Sequence, residues 1–575
     1  MEELKTDVLI LGSGGAGLFA ALHAHAAAPQ LDITIAVKGL LGKCGCTRMV
    51  QGGYNVALAK EDSVERHFMD TIEGGAWLPH QELAWTLVSV AVERVRELEN
   101  ELGCFFDRNP DGTLHQKAFA GQTFDRTVHK GDLTGIEIIN RLAEQVWARG
   151  IRRLEEHRAV ELIASRDGQR IAGVLLADMR TGEFVLVRAK AVVLATGGGP
   201  TMYKYHTPSG DKACDGLAMA LRLGLPLRDM EMVQFHPTGL LAGVHTRMTG
   251  TVLEEGLRGS GGYLLNGKDE RFMQAVDPRG ERATRDIVSR AMFAEMRAGN
   301  VTPHGGLWIS MGHLGAENVR RQFKGMVERC ADCGFDLAGG KVEVVPTAHY
   351  MMGGVEFAVD TSTELEGLFA AGEDTGGVHG ANRLGGNGVA NSTVYGGIAG
   401  DAVAAWLAGG RVHAVPDGDA IERARRRTLH PFDQPAGDLP AIREALYELM
   451  WSDVGILRDA AGLARAAGAL EGLHERLART GLPDQDRAFN LTWHDWLNLD
   501  SLLAVSKVIA RAAIAREDSR GAHYREDHPA VRDLERSAFT RVRSRGRDLA
   551  LEFVPVDFTR VRPGETLLGD AQAAA

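Results

Sequence analysis

Cysteine is scarce in this chain, six in 575 residues. Only Cys330 and Cys333 stand in a C-x-x-C pair. Zinc or iron–sulfur ligation needs further ligands at matching spacing, and Cys44, Cys46, Cys104 and Cys214 do not supply it. The cysteines read as reduced cytosolic thiols and the expected metal complement is none. Long apolar runs are lacking too. No stretch approaches the ~18 uninterrupted apolar residues of a membrane span. No charged-then-apolar leader is present, so no secretory signal is expected and the reading is cytoplasmic, with any link to the inner membrane face made through a partner. Positive charge is in deficit: 65 Lys and Arg stand against 76 Asp and Glu, a net −11. That balance argues against nucleic acid as a partner. The remaining composition, 44% hydrophobic and 25% charged, is that of ordinary globular domains, and the length allows about two to four of them.

What the chain does have is glycine, and the first cluster organises the rest. Thr6 to His23 reads T-D-V-L-I-L-G-S-G-G-A-G-L-F-A-A-L-H. An apolar strand stops at Gly12, G-S-G-G-A-G follows, and a helix-forming stretch comes next. Gly12 permits the turn, Gly14 lets backbone approach a pyrophosphate, and Gly17 lets the helix pack on the strand. Ser13, Gly15 and Ala16 complete a loop whose N–H groups and helix dipole favour phosphate. A ribose-binding acidic residue is expected about 20 residues on. The second strand, Asp32 to Lys38, ends in Val37 and Lys38 instead, which weakens a plain NAD reading.

Gly39 to Gly53 is a loop, with Gly52 and Gly53 suited to close backbone approach. Residues 80 to 102 and Thr134 to Ala148 have helical periodicity, and 157 to 196 alternate like strands before closing on A-V-V-L-A-T-G-G-G. The densest chemistry follows: E-M-V-Q-F-H-P-T-G (Glu231 to Gly239), T-V-L-E-E-G-L-R-G-S-G-G (Thr251 to Gly262), R-A-T-R-D (Arg282 to Asp286), P-T-A-H-Y-M-M-G-G (Pro346 to Gly354) and V-H-G-A-N-R-L-G-G-N-G (Val378 to Gly388). These place His236, His349, Arg285 and Arg383 in glycine-rich, sparsely charged loops, where long charged side chains are costly unless paired. From about Pro431 glycine thins out. Helical spacing through about Arg543 predicts a helical domain with Trp493, Trp496, Leu497 and Leu499 in its core, then a tail of short strand or coil from Leu549.

Together these motifs, with S-R-G-A-H-Y-R-E-D at Ser519 to Asp527, resemble the flavoprotein subunit of the succinate dehydrogenase/fumarate reductase family, with L-aspartate oxidase as a sister family. The resemblance runs nearly end to end. It implies an α/β fold: a Rossmann-like FAD-binding domain in two pieces (1–239 and 346–430), an inserted α+β capping domain (240–345), a C-terminal helical domain (431–545) and a tail (546–575). It implies FAD held by Gly12 to Gly17, Lys38, Thr47, Gly52, Gly53, Thr196, Gly197, Asp215, Glu373, Arg383, Asn387, Gly388 and Val389. A small dicarboxylate would be pinned by Arg383, His236 and His349. Arg285 would deliver the proton, with Glu255 and Arg258 as its relay, because an arginine alone is a poor general acid. An iron–sulfur subunit is the implied partner.

The chain departs from that pattern at specific positions. Cys46 stands where respiratory members carry the histidine that binds FAD covalently, so non-covalent FAD is expected. Glu254 stands where the family usually has a threonine that binds a substrate carboxylate, and a carboxylate facing a carboxylate is repulsive. Asn391 replaces a usual acidic residue beside the flavin, and Arg48 a small apolar one. The segment F-A-G-Q-T-F-D-R at Phe119 to Arg126 resembles the dehydrogenase/reductase form. The alternatives are an aspartate oxidase-type oxidation of an amino-dicarboxylate, and a non-catalytic FAD-binding assembly subunit.

Overall fold

The computed structural model describes residues 1–243, 246, 248–546 and 548–569. The chain opens with β1 (Glu2–Leu11), α1 (Gly15–Ala27) and β2 (Ile33–Val37). After α2 (Thr134–Ala148) come β3 (Arg152–Glu155), β4 (His157–Ala164), β5 (Ile171–Asp178) and β6 (Phe184–Leu194). The sheet runs β3-β2-β1-β6-β5-β4, and a short strand, Leu368–Ala370, also pairs with β6. β1 lies parallel to both β2 and β6, so Leu11 pairs with Ala36 on one side and with Leu194 on the other. The chain therefore leaves three adjacent strand ends along one edge. That edge is the topological switch point at which parallel sheets bind ligands.

Residues 233–351 build a separate sheet. β7 (Val233–Leu240) pairs antiparallel with β8 (Lys341–Met351), and Leu307–Ser310 and Tyr263–Leu265 extend the sheet beyond β8. Two helices, α3 (Arg285–Arg297) and α4 (Lys324–Asp332), cover it. Its own core joins Leu240, Leu253, Leu264, Val288, Met292, Ile309 and Val344, with Cys330 buried among them. All six cysteines are free, and the described residues contain no convergent group of metal ligands.

The chain then returns to the first sheet through α5 (Asn387–Leu407), which lies against α1. Small residues make this contact close. A Cβ on Gly396 would come within 2.6 Å of the Ala16 carbonyl oxygen, and one on Gly400 within 2.4 Å of that of Ala20. Beyond, α6 (Leu491–Ala515) buries Trp493, Trp496, Leu497 and Leu499. The Trp493 indole donates to the Thr428 carbonyl at 2.8 Å. No helix among the described residues is long and apolar enough to cross a membrane.

The expectation of helix through Arg543 is corrected. α6 ends at Ala515, and the chain forms a hairpin of β9 (Ala538–Arg545) and β10 (Asp548–Pro555). The arginines at 541 and 543 alternate with buried Thr540 and Val542 in a strand period, not a helical one. The two guanidiniums point outward to Glu356 and Glu364. Between α6 and β9 the S-R-G-A-H-Y-R-E-D segment ties down the cap: Arg290 on α3 donates to the Gly521 carbonyl at 2.6 Å and Arg297 pairs with Glu526 at 2.7 Å.

His494, on α6 beside Trp493, is buried with neither ring nitrogen bonded. Burial first, and then Arg158 and Lys38, push its pKa down to about 3. A histidine held neutral this way binds its proton more readily in the unfolded chain. Its favourable contribution is therefore complete above about pH 6.5 and is lost as pH falls from there toward about 3. The variant His494→Leu is expected to flatten the fall of the unfolding free energy between pH 7 and 5, by up to about 1.4 kcal/mol per pH unit, as measured by denaturant unfolding at each pH. Parallel profiles for the variant and the wild type would refute this.

Candidate active site

One cavity of about 710 Å³ runs along the switch-point edge and beneath the cap. At one end the β1–α1 loop forms its floor. Gly12 has φ +105°, and a Cβ there would strike the Ala195 carbonyl oxygen at 2.2 Å, so the ends of β1 and β6 touch. A Cβ on Gly17 would lie 2.1 Å from the Gly12 carbonyl oxygen. Gly17 is thus a packing glycine behind the loop and does not line the cavity. Gly14 caps α1 with no side-chain acceptor, and the Gly15 N–H reaches Thr47 Oγ1 at 3.1 Å. The free N–H groups of α1 face the cavity beside Gly12, Ser13, Gly14, Gly15 and Ala16. A dinucleotide pyrophosphate fits this glycine cradle.

Further along, Lys38 and Arg158 converge on Asp215, at 2.9 and 2.7 Å. Burial would raise the Asp215 pKa, but Arg158 and Lys38 overcome it and hold the carboxyl well below the usual range. α6 braces the cluster: Asn498 Oδ1 accepts from Lys38 and Arg158 at 3.2 and 2.9 Å, and Ser501 donates to Asp215 at 3.1 Å. Sequence reasoning missed Arg158, and missed Asn498 and Ser501, which lie far along the chain from it. Thr196 and Gly197 also line the cavity and are fixed by Asp374, whose carboxylate accepts from the Thr196 hydroxyl at 3.0 Å and the Gly197 N–H at 2.9 Å. Burial lifts Asp374 to about 6 and Glu373 to about 7. Glu373 accepts from the Met351 N–H at 3.0 Å.

Thr47, Gly52, Gly53, Gly388 and Val389 line the middle of the cavity. Asn387 does not. Its amide is turned into the protein, bonding Asn55 at 2.8 Å, His67 at 2.9 Å and Thr71 at 3.2 Å, so it shapes the start of α5. Cys46 reaches the cavity wall, with burial pushing its thiol up to about 12. Asn391 donates to the Tyr350 hydroxyl at 3.2 Å, and Arg48 to the Gly42 carbonyl at 3.0 Å. In the Phe119 to Arg126 segment, Phe119 lines the cavity, while Arg126 is a buried structural cation held by Asp62 and Asp70.

Beneath the cap the remaining residues converge. Arg285 opens α3, at the positive end of its dipole. The arrangement is tolerable because Glu255 Oε2 lies 2.6 Å from its Nη2. Arg258 lies on the far side of Glu255, 3.1 Å from Oε1, and is wholly buried behind the cavity wall. Gln234, which the sequence reading passed over, accepts through one oxygen from both Arg285 at 3.0 Å and Arg383 at 3.1 Å. It stands two residues before His236 on the same strand, and that spacing was the available signal. Arg383 stacks on Tyr350 at 4.5 Å and leaves its buried Nε without a partner. Burial first, then Arg285, lowers it to about 10, so it stays a cation at neutral pH.

His236 and His349 face one another with ring centroids 5.3 Å apart. His349 is brought there by a bulge: β8 pairs Tyr350 with Gln234 and Ala348 with Phe235, leaving His349 unpaired between them. Burial, and then Arg285, drive both pKa values far down, so both rings are neutral. The Thr238 N–H approaches His236 Nδ1 at 3.3 Å, which makes Nδ1 the acceptor and Nε2 the N–H donor. Glu254, next to Glu255, pairs with Lys117.

Known proteins are similar to this chain along most of its length. An FAD binding domain model matches residues 7–389, and a fumarate reductase flavoprotein C-terminal model matches residues 443–567. The chain belongs to the succinate dehydrogenase/fumarate reductase flavoprotein family. It is 41% identical over 536 residues to a fumarate reductase (CoM/CoB) subunit of Methanothermobacter marburgensis, covering 92% of this chain and 96% of that one. A solved E. coli quinol fumarate reductase FrdA chain superposes with a TM-score of 0.92 at 33% identity, covering 98% and 99%. Adenylylsulfate reductase of Archaeoglobus fulgidus, at 17% identity and a TM-score of 0.78 over 97% of each chain, shares the fold alone. The fold is thus an FAD-binding α/β domain with an inserted cap and a helical C-terminal domain, and the protein is an FAD-dependent oxidoreductase of the succinate/fumarate type.

The brace from α6 gives a direct expectation. Asn498→Ala with Ser501→Ala should raise the FAD dissociation constant at least about tenfold by releasing the Lys38–Asp215–Arg158 cluster. Fluorescence titration of apoprotein with FAD measures it, and an unchanged constant would exclude the brace.

Proposed function

We propose that the protein interconverts a small carboxylate and its unsaturated form, with the substrate held between Arg383, His236 and His349 on one side and Arg285 on the other. The observation that carries this reading is a charge count. Arg258 and Arg285 both pair with one buried carboxylate, Glu255, and a third buried cation, Arg383, has no carboxylate at ion-pair distance among the described residues. Such an excess of buried positive charge is stable only if an anion completes it. Bound FAD supplies the two-electron exchange with the carbon–carbon bond.

The protein's own groups do the rest. Arg383, with the neutral His236 donating through Nε2, draws charge onto the substrate carboxylate and polarises the double bond. Thr207 Oγ1 sits 2.8 Å from His349 Nδ1 and orients that ring. Arg285 hands a proton to the second carbon, and Glu255 replaces it from Arg258. Glu255, held below its usual range by Arg285 and Arg258 despite burial, is the carboxylate such a shuttle needs. The Cys46 thiol is held protonated, so it is a weak nucleophile, which supports non-covalent FAD. The relatives' description as subunits supports electron exchange with a separate iron–sulfur chain, through which any membrane association would run.

The test uses dithionite-reduced holoprotein without oxygen, mixed with fumarate or its monoamide. Flavin reoxidation should be fast with one of them. In Arg285→Ala it should fall about 10²- to 10⁴-fold with flavin content unchanged. Undiminished reoxidation in that variant would overturn the relay.

A further inference from the structure

The cavity is not cationic at every point of its wall beneath the cap. Glu254 is 4% exposed and lines the same space as Arg285, Glu255, His236 and Arg383. Its Oε1 accepts from Lys117, whose ammonium also lies 3.4 Å from the Gly131 carbonyl oxygen and faces the Phe119 ring. Lys117 is not among the described residues that line the cavity. The ammonium is therefore behind, and the carboxylate is what the cavity presents. No hydrogen bond among the described residues reaches Glu254 Oε2. The neighbouring wall is mixed: Asp132 adds a second carboxylate, and Arg329 is turned toward the Val252 carbonyl at 3.4 Å.

The wall beneath the cap presents a substrate with two unlike groups. Arg383 and the neutral His236 offer donors and positive charge. Glu254 offers the lone pairs of Oε2, while its counter-ion Lys117 is engaged at Oε1. A symmetrical dicarboxylate that reaches both satisfies the first and sets its second carboxylate against an acceptor, which costs both the repulsion and an unmade hydrogen bond.

We propose that Glu254, held in place by Lys117, is the specificity-determining residue that selects an unsaturated carboxylate whose far end is a neutral hydrogen-bond donor, an amide or hydroxyl, in place of a second carboxylate. This rests on the reading given under Proposed function. It gives the enzyme a substrate class distinct from fumarate while leaving the Arg285–Glu255–Arg258 relay untouched.

The experiment compares fumarate with fumaramate, its monoamide, as oxidants of reduced holoprotein. It adds succinate and succinamate as dead-end ligands, followed by perturbation of the oxidised flavin spectrum. Wild type should favour fumaramate by at least about tenfold in second-order rate constant, and bind succinamate more tightly than succinate. Glu254→Gln, the same shape without the charge, should gain at least about tenfold toward fumarate and bring the ratio near unity. Glu254→Ser should move the ratio in the same direction. A wild type that uses fumarate as well as or better than fumaramate, with a ratio that neither substitution moves, would overturn the proposal. If neither compound reoxidises the flavin in any of the three proteins, the underlying reading falls, and this one with it.

Discussion

Everything beneath the cap follows from the cost of burying several guanidiniums together. Arg258, Arg285 and Arg383 share one carboxylate and one amide oxygen, those of Glu255 and Gln234. Like charges this close in a poorly solvated space repel strongly, and only short, well-directed contacts keep them there. The arrangement cannot relax by losing a proton, because an arginine, even one lowered by burial to about 10 as Arg383 is, remains charged near neutrality. The cluster is therefore a standing demand for an anion at one fixed point. Burial, and then the same field, keep His236 and His349 neutral, which preserves them as directional hydrogen-bond partners.

The fold supplies that geometry from separate parts of the chain. β7 contributes Gln234 and His236, the bulge in β8 turns His349 inward, α3 begins on Arg285, and the glycine-rich turn before α5 carries Arg383. In the first turn of α5 a Cβ on Gly388 would lie 2.9 Å from Arg383 Nη1, so glycine there leaves room for the guanidinium. The helical C-terminal part is a participant as well. α6 steadies Asp215 through Asn498 and Ser501, and residues 521 and 526 anchor α3, the helix that carries Arg285.

Much of this was legible in the sequence. The Gly12 to Gly17 run after an apolar strand announced the cofactor cradle, and the local motifs named both histidines and the arginines. What stayed hidden depends on long-range contact. Asn387 was read as a cofactor contact but turns inward to Asn55 and His67, and Arg258 sits one layer behind the wall. Lys117 could not be linked to Glu254 by any pattern, since the pair spans 137 positions. β9 was read as helix because its charged and apolar residues also recur four apart, as Arg541 and Arg545 and Ala538 and Val542 do. The shared fold with adenylylsulfate reductase shows why substrate has to be argued from the site and not from the architecture.

The central claim, that Gln234 holds Arg285 and Arg383 together as one anion site, is tested most directly by calorimetry on FAD-loaded protein. Wild type and Gln234→Leu would be titrated with succinate or succinamate, whichever the wild type binds more tightly. The account predicts that the variant keeps its FAD and loses carboxylate affinity by at least about tenfold, because the two guanidiniums separate without their shared acceptor. Unchanged affinity with FAD retained would mean that the two arginines act independently, and would contradict the account.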